Sequence, residues 1–392
     1  MRVMYARLLE VPRLPFFLFG ARSVGKTTWL KQALPDATFV DLLTASERLK
    51  YAKDPSRLAA LVRARPRDKW TVIDEVQRCP RLLDEVHALM ENHGFRNFVL
   101  CGSSARKLRK GAANLLAGRA ITKYLLPLTS KEVDFAVDVS TVLEHGMLPL
   151  VFDAETEEQK QEILKSYVTT YVSEEIRAEA LVRDIGSFAR FLDVAALSAS
   201  TRPNISGLAR DAGAGRDTVQ GYFEVLVDTL IGSWLPAYRP RAKIKEVARP
   251  KFYWIDPGVL NCAAGGFEQP MPRDWKGVLL EHWIKHELDA YMLYENQRGS
   301  LGFWRTPSGT EVDFVWWYGT RAVGIEIKAS KSFRRGYLKG LRALSGAFDL
   351  SGAFVVYQGK DVLRYDDVWV LPVVDFLKRL WSGEVIPPVS VH

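Results

Sequence analysis

The sequence predicts an α/β protein whose first part is a parallel sheet, and three apolar runs carry that prediction. Phe16-Phe17-Leu18-Phe19 leads into Gly20-Ala21-Arg22-Ser23-Val24-Gly25-Lys26-Thr27 and then into the helix-compatible Thr28-Trp29-Leu30-Lys31-Gln32-Ala33. Strand, glycine-bounded loop and helix in direct succession are the setting in which this pattern binds phosphate. Trp70-Thr71-Val72-Ile73 ends in the paired acids Asp74-Glu75, and Asn97-Phe98-Val99-Leu100-Cys101 runs into Gly102-Ser103-Ser104. The last pattern sets hydroxyls at the carboxyl edge of a parallel sheet, where ligands of such sheets lie.

At 392 residues the chain is too long for one ordinary core, and two or three domains are expected. We place them at 1–135, 136–250 and 251–392. With 47% hydrophobic residues each can bury a core, and the formal charge of +8 directs attention to where the basic residues gather. Three scattered cysteines, Cys79, Cys101 and Cys262, fit a reducing interior, so a cytoplasmic location is expected. The apolar run before Gly20 is too short to span a bilayer, and no membrane association is expected.

In the phosphate loop, glycines let the backbone curl so that its amides face a phosphate chain. Residues Gly20 to Thr28 are the expected nucleotide contacts. Lys26 reaches the terminal phosphates of ATP, and the Thr27 hydroxyl joins a magnesium shell. Thr38-Phe39-Val40-Asp41-Leu42 reads as a second strand and 46–62 as helical. Asp74 is suited to hold magnesium through water and Glu75 to orient the attacking water. Ser103 or Ser104 is placed to sense the terminal phosphate or, alternatively, to cap the helix starting at Ala105. Arg119, after Gly118, is a candidate arginine finger in cis or in trans; a solvated surface arginine is the alternative.

The phosphate loop, Ile73-Asp74-Glu75-Val76-Gln77, Gly102-Ser103-Ser104 and Gly118-Arg119 together resemble bacterial and archaeal AAA-type ATPases that carry a long C-terminal domain of unknown function. The resemblance covers nearly the whole chain. It implies a P-loop NTPase sheet, a winged-helix middle segment and a restriction-endonuclease-like C-terminal core, and the wider class commonly assembles as homo-oligomers.

In the middle segment, Asp153 to Lys160 reads as a polar connector and 163–197 as helical. Asn204 to Gln220 has the layout of a helix-turn-helix, with the turn at Gly213 to Gly215 and an apolar stripe at Val219, Tyr222, Phe223, Leu226 and Leu230. Arg216, Thr218 and Gln220 are then exposed. Arg239, Arg241, Lys243, Lys245, Arg249 and Lys251 form the densest basic run, suited to phosphates or to a solvated linker.

From Trp275 the chain reads as a helix that keeps Glu281 near its core side. A hairpin follows around Pro307-Ser308-Gly309, with Asp313 in its second strand, and then the strand Ala322 to Lys328. Glu326 and Lys328 share one face of that strand because strand side chains alternate. Asp313 and Glu326 offer carboxylates to a divalent cation such as Mg2+, with the Lys328 ammonium beside them. An Asp followed by Glu-x-Lys resembles the PD-(D/E)xK nuclease superfamily, with Glu281 matching the acid on the preceding helix; Val312 stands where a proline precedes the first acid in many members. The resemblance implies catalytic roles for Glu281, Asp313, Glu326 and Lys328. The basic residues Lys331, Arg334, Arg335, Lys339 and Arg342 follow, so the expected partner is nucleic acid, DNA before RNA. The histidines lack zinc-site spacing, and no zinc is expected.

The expected function is a magnesium-dependent ATPase coupled to a nucleic-acid-binding, nuclease-like module. The alternatives are a non-cleaving binding protein controlled by ATP and a nucleotide-gated assembly switch.

Overall fold

The computed structural model describes residues 5–103, 116, 118–172, 184–238 and 249–387. The chain forms two compact units, one of Arg7–Pro127 with Glu224–Ile231, the other chiefly of Leu128–Phe223 and Gly232–His392.

The first unit is built on β1 (Phe16–Phe19), α1 (Lys26–Ala33), β2 (Thr38–Asp41), α2 (Ala45–Lys53), α3 (Arg57–Arg63), β3 (Thr71–Asp74), α4 (Leu82–His93), β4 (Phe98–Gly102) and β5 (Ile121–Tyr124). The strands form one parallel sheet in the order β2-β3-β4-β1-β5. Every residue of β1, β3 and β4 is buried, which is why these strands read as unbroken apolar runs rather than alternating ones. Phe17, Phe19, Ile73, Leu100 and the α4 residues Leu82, Leu83 and Val86 share one core. Each such side chain contributes about 1.5–3 kcal/mol on burial. The stretch read as helical over 46–62 is two helices, broken at Asp54-Pro55, because a proline disfavours helical backbone in the residue before it.

The second unit contains α5 (Val139–His145), α6 (Pro149–Phe152), α7 (Glu157–Ser166), α8 (Ile185–Leu197), α9 (Ile205–Ala212), the start of α10 (Arg216–Asp228), β6 (Gly232–Leu235), β7 (Lys251–Trp254), α11 (Pro257–Ala263) and α12 (Trp275–Tyr294). It continues with β8 (Ser300–Arg305), β9 (Glu311–Tyr318), β10 (Arg321–Lys328), α13 (Lys339–Ala347), β11 (Gly352–Tyr357), β12 (Leu363–Tyr365), β13 (Val368–Pro372) and α14 (Val373–Trp381). Strands β8, β9 and β10 pair antiparallel. β11 and β13 extend the sheet in parallel, giving the order β12-β13-β11-β10-β9-β8. The polar connector expected at Asp153 to Lys160 is a helix start: Thr156 and Gln159 cap α7 reciprocally.

Two buried carboxylates fix α11 and α12 in this unit. Asp256 accepts from Val259 N at 3.0 Å and from Met147 N at 2.6 Å. A Cβ at Gly146, where φ is +77°, would stand 1.9 Å from its Oδ1. Only glycine fits there. Glu287 on α12 is fully buried and accepts from the Ser130 amide and hydroxyl, from Trp283 Nε1 and from Trp381 Nε1 at 2.6–3.2 Å. Such a group is tolerable in the interior because both of its oxygens accept hydrogen bonds, three at Oε1 and one at Oε2.

Candidate functional sites

The phosphate loop leaves β1 at the carboxyl edge of the first sheet. Ser23 and Gly25 take positive φ, 64° and 93°, which turns the chain into α1. Gly20 has no alternative: a Cβ would come within 2.3 Å of Leu125 O. Lys26 is only 7% exposed, and its ammonium donates to Gly20 O at 2.8 Å and Ala21 O at 3.0 Å. Arg22, Ser23 and Thr28 are exposed around the loop, whereas Ala21 and Val24 are buried. Arg7, which carries no motif, braces the loop from behind by donating to Val24 O at 2.7 Å and Leu126 O at 2.6 Å.

The Thr27 hydroxyl donates to Asp74 Oδ2 at 2.6 Å. A hydroxyl beside a carboxylate fits a magnesium ion that takes the Thr oxygen directly and the carboxylate through water. Glu75 leaves β3 in the left-handed region, φ 58°, with its amide on Asp74 Oδ1 at 3.1 Å. Gln77, which the sequence presents without a role, joins the site: Nε2 donates to Glu75 Oε2 at 2.6 Å and to Ser103 Oγ at 3.3 Å. Its path crosses Gly102, where a Cβ would stand 2.5 Å from Gln77 Oε1. Lys26, Thr27, Asp74, Glu75 and Ser103 thus meet at one sheet edge. Ser104 and Ala105 lie outside the described residues.

Arg119 does not join them. β1 and β5 are parallel with Phe16 opposite Ile121, so Arg119 precedes the amino edge of the sheet while the phosphate loop follows the carboxyl edge. The two ends are separated by at least one strand length, about 13 Å at 3.3 Å per residue. Its guanidinium pairs with Glu91 of α4 instead. In this register Arg119 stands at the sheet edge opposite its own phosphate loop.

The second unit gathers the C-terminal candidates. α12 supplies Glu281, β9 Asp313, and β10 Glu326 with Lys328. Glu281 accepts from Tyr253 OH and from Lys251 Nζ at 3.5 Å, and Lys251 also pairs with Glu311. Asp313 Oδ2 accepts from Ile327 N at 2.7 Å, and Glu326 Oε1 from Lys328 Nζ at 2.5 Å. Glu326 is 8% exposed and its Oε2 is buried without a partner.

Burial, reinforced by Asp313 and opposed by Lys328, pushes the Glu326 carboxyl up to about 8. Burial likewise raises Glu281 to about 7, with Lys251 opposing. For both lysines burial disfavours the ammonium, but the surrounding carboxylates outweigh it and the net shift is upward. Among the described residues no three His, Cys, Asp or Glu side chains converge closely enough to cage an ion; each carboxylate is engaged by a protein donor.

Lys251 corrects the sequence reading. It is neither solvated nor a phosphate contact but 5% exposed within this cluster. The signal was present: in the strand Lys251-Phe252-Tyr253-Trp254, alternation puts Lys251 and Tyr253 on one face, and both reach Glu281. Arg249 is exposed, and 239–248 lie outside the described residues.

In the middle segment α9 ends at Gly213, φ +66°, and α10 begins at Arg216, with Arg216, Thr218 and Gln220 exposed and Val219 buried. Asn204 caps α9 by accepting from Gly207 N at 3.2 Å. No helix among the described residues is long and apolar enough to cross a membrane.

Residues 13–134 match a family model described as an AAA domain. Residues 137–270 and 276–376 match two models described as domains of unknown function, DUF8612 and DUF4143. Comparison with curated proteins finds no match. Among solved structures the chain is similar to the Walker-type ATPase PABY2304 of Pyrococcus abyssi, with 15% identity, 64% of this chain and 90% of that chain covered, and a TM-score of 0.42. The ORC2 protein of Aeropyrum pernix, solved as ADPNP-ADP complexes, gives 12%, 70%, 90% and 0.25. Protein VC1899 from Vibrio cholerae gives 13%, 94%, 96% and 0.21. With the phosphate loop, the Asp74-Glu75 pair and the parallel sheet in place, residues 13–134 constitute an AAA-type P-loop ATPase domain.

Proposed function

We propose that the chain is a magnesium-dependent ATPase whose nucleotide state controls a nucleic-acid-engaging, nuclease-like site in the second unit. Lys26 exchanges the Gly20 and Ala21 carbonyls for the terminal phosphates of ATP. Thr27 and Asp74 hold magnesium, which, when bound, neutralises charge on the phosphate oxygens. Glu75 orients the attacking water and Ser103 senses the terminal phosphate. Arg119 serves only a nucleotide on a neighbouring copy, so turnover is slow in an isolated chain and homo-oligomers are the active form.

The second site uses Glu281, Asp313, Glu326 and Lys328. Asp313 and Glu326 offer carboxylate oxygens to a divalent cation, and Lys328 stabilises charge on a phosphodiester. The observation that carries this reading is that three separate elements deliver these groups to one buried place, leaving Glu326 Oε2 unpaired. The order α12, β8-β9-β10, α13, β11 also suits the restriction-endonuclease-like core expected from the Glu-x-Lys pattern, and α8 to β7 suits a winged helix. A non-cleaving, ATP-controlled nucleic-acid grip is the second reading. It is favoured by Lys251 and Lys328, which already occupy the carboxylates.

Incubating wild type and Glu326→Ala with single- and double-stranded DNA and RNA, with Mg2+ or Mn2+, tests the first reading. Cleavage by the wild type that the variant loses supports it. Binding by both with cleavage by neither overturns it in favour of the grip, and absence of binding overturns both.

A further inference from the structure

We propose that the segment following β10, together with Tyr365, is a base-stacking grip and that the nucleic acid held beside the Glu-x-Lys site is single-stranded. The inference rests on the nucleic-acid reading above and assigns the form of the substrate. β10 ends at Lys328 and the chain then turns towards α13. Ser332 N donates to Ser330 Oγ at 3.1 Å, and Gln358 N donates to Ser330 O at 3.1 Å, so the turn is tied to the end of β11.

The segment brings Phe333 and Tyr337 together with Tyr365 of β12. The Phe333 and Tyr365 rings stack with centroids 4.7 Å apart and planes 18° apart. Tyr337 meets Phe333 edge-on at 6.1 Å. All three are half-buried, while Lys331, Arg334 and Arg335 around them are exposed. The Arg335 guanidinium lies 5.9 Å from the Tyr365 ring centre, and the Lys328 ammonium lies 5.9 Å from that of Tyr337. Tyr337 thus brings the ring cluster up to Lys328, one of the candidate groups. Acids nearby are matched to other arginines: Asp366 to Arg342 at 3.1 Å and Asp367 to Arg364 at 4.0 Å.

Flat rings rimmed by cations meet both needs of an unpaired strand: a surface for the bases and charge for the phosphates. A duplex hides its base faces in its own stack and offers such a surface little beyond its backbone. If the rings only sealed the core around Leu338 and Leu341, apolar bulk would suffice and flatness would be irrelevant. Leucine substitutions separate the two cases.

Fluorescence anisotropy of the full chain, without divalent metal, measures binding to a labelled oligothymidine and to a duplex of the same length, each about twenty nucleotides, several times the smallest single-strand sites. We expect tighter binding of the single strand and, for Tyr365→Leu, roughly tenfold weaker single-strand binding. Duplex binding and the salt dependence should be unchanged. Arg334→Ala with Arg335→Ala should weaken both and flatten the salt dependence. Thermal melting confirms that the variants fold, and Tyr337→Leu provides a second ring test if Tyr365→Leu melts early. Single-strand affinity untouched by the leucine variants, or lost in parallel with duplex affinity, overturns the grip while leaving the nucleic-acid reading standing. Wild-type binding to neither ligand at low salt overturns both.

Discussion

Lys251→Met removes one buried charge while keeping most of the apolar stem, and it should destabilise the second unit severely. The ammonium pairs with Glu311, stands 3.5 Å from Glu281 and lies 5.3 Å from the Phe303 ring centre. At an effective dielectric constant near 20, the Lys251–Glu281 charge pair at 3.5 Å interacts by about 5 kcal/mol. Desolvation consumes most of this, so the intact cluster contributes little net stability. Removing one partner is different, because it strands carboxylates in the interior and costs about 3–5 kcal/mol. Glu281, already held up to about 7 by burial, relieves part of the cost by taking a proton. The loss should therefore be smaller at pH 6 than at pH 8. Urea unfolding followed by tryptophan fluorescence at both pH values measures it, and Lys251→Met combined with Glu311→Gln should recover part of the loss. A shift below about 1 kcal/mol, with additive double-variant behaviour, would refute a desolvated ion cluster.

Glu287→Ala leaves the Ser130 amide and two indole N–H groups without their acceptor. It should cost about 3–5 kcal/mol in the same unfolding assay, whereas a loss under about 1 kcal/mol would mean that these donors find other partners. In the same unit His282 makes a contribution that is lost in acid, opposite in sign to that of the raised Glu281 and Glu326 carboxyls, whose protonation favours the folded chain. His282 is buried, and desolvation lowers its pKa from 6.5 to about 3. Protonation therefore favours the unfolded chain: the contribution is intact above about pH 6.5 and is lost as pH falls, by about 2 kcal/mol at pH 5. Burial lowers His145 in the same direction. His282→Gln should remove this loss, so that relative to wild type the variant gains about 2 kcal/mol between pH 6.5 and 5, and an unchanged pH profile would contradict the assignment.

The ATPase sheet was legible because its strands are buried on both faces and its loop needs a glycine, Gly25, at a positive φ between the first strand and helix. Glu281, Asp313, Glu326 and Lys328 were legible through strand alternation and helix phase. Lys251 was misread because six basic residues in thirteen look like a solvated face, although its own strand pattern points inward. Glu287 and Ser130 lie 157 residues apart, so no local pattern joins them. Arg119 shows the limit in reverse: Gly118-Arg119 suits a finger by local sequence, and only the β1–β5 register shows that it lies at the sheet edge opposite its own phosphate loop. Thr156 to Gln159 carried a capping signal that a polar stretch obscured.

Nucleotide binding and ATP turnover, measured together on wild type, Lys26→Ala and Glu75→Gln, test the central assignment most directly. The wild type should hydrolyse ATP only with magnesium. Lys26→Ala should lose binding and turnover, and Glu75→Gln should bind ATP while turnover falls by roughly a hundredfold or more. Wild-type turnover in Lys26→Ala, or undiminished hydrolysis in Glu75→Gln, would contradict the account.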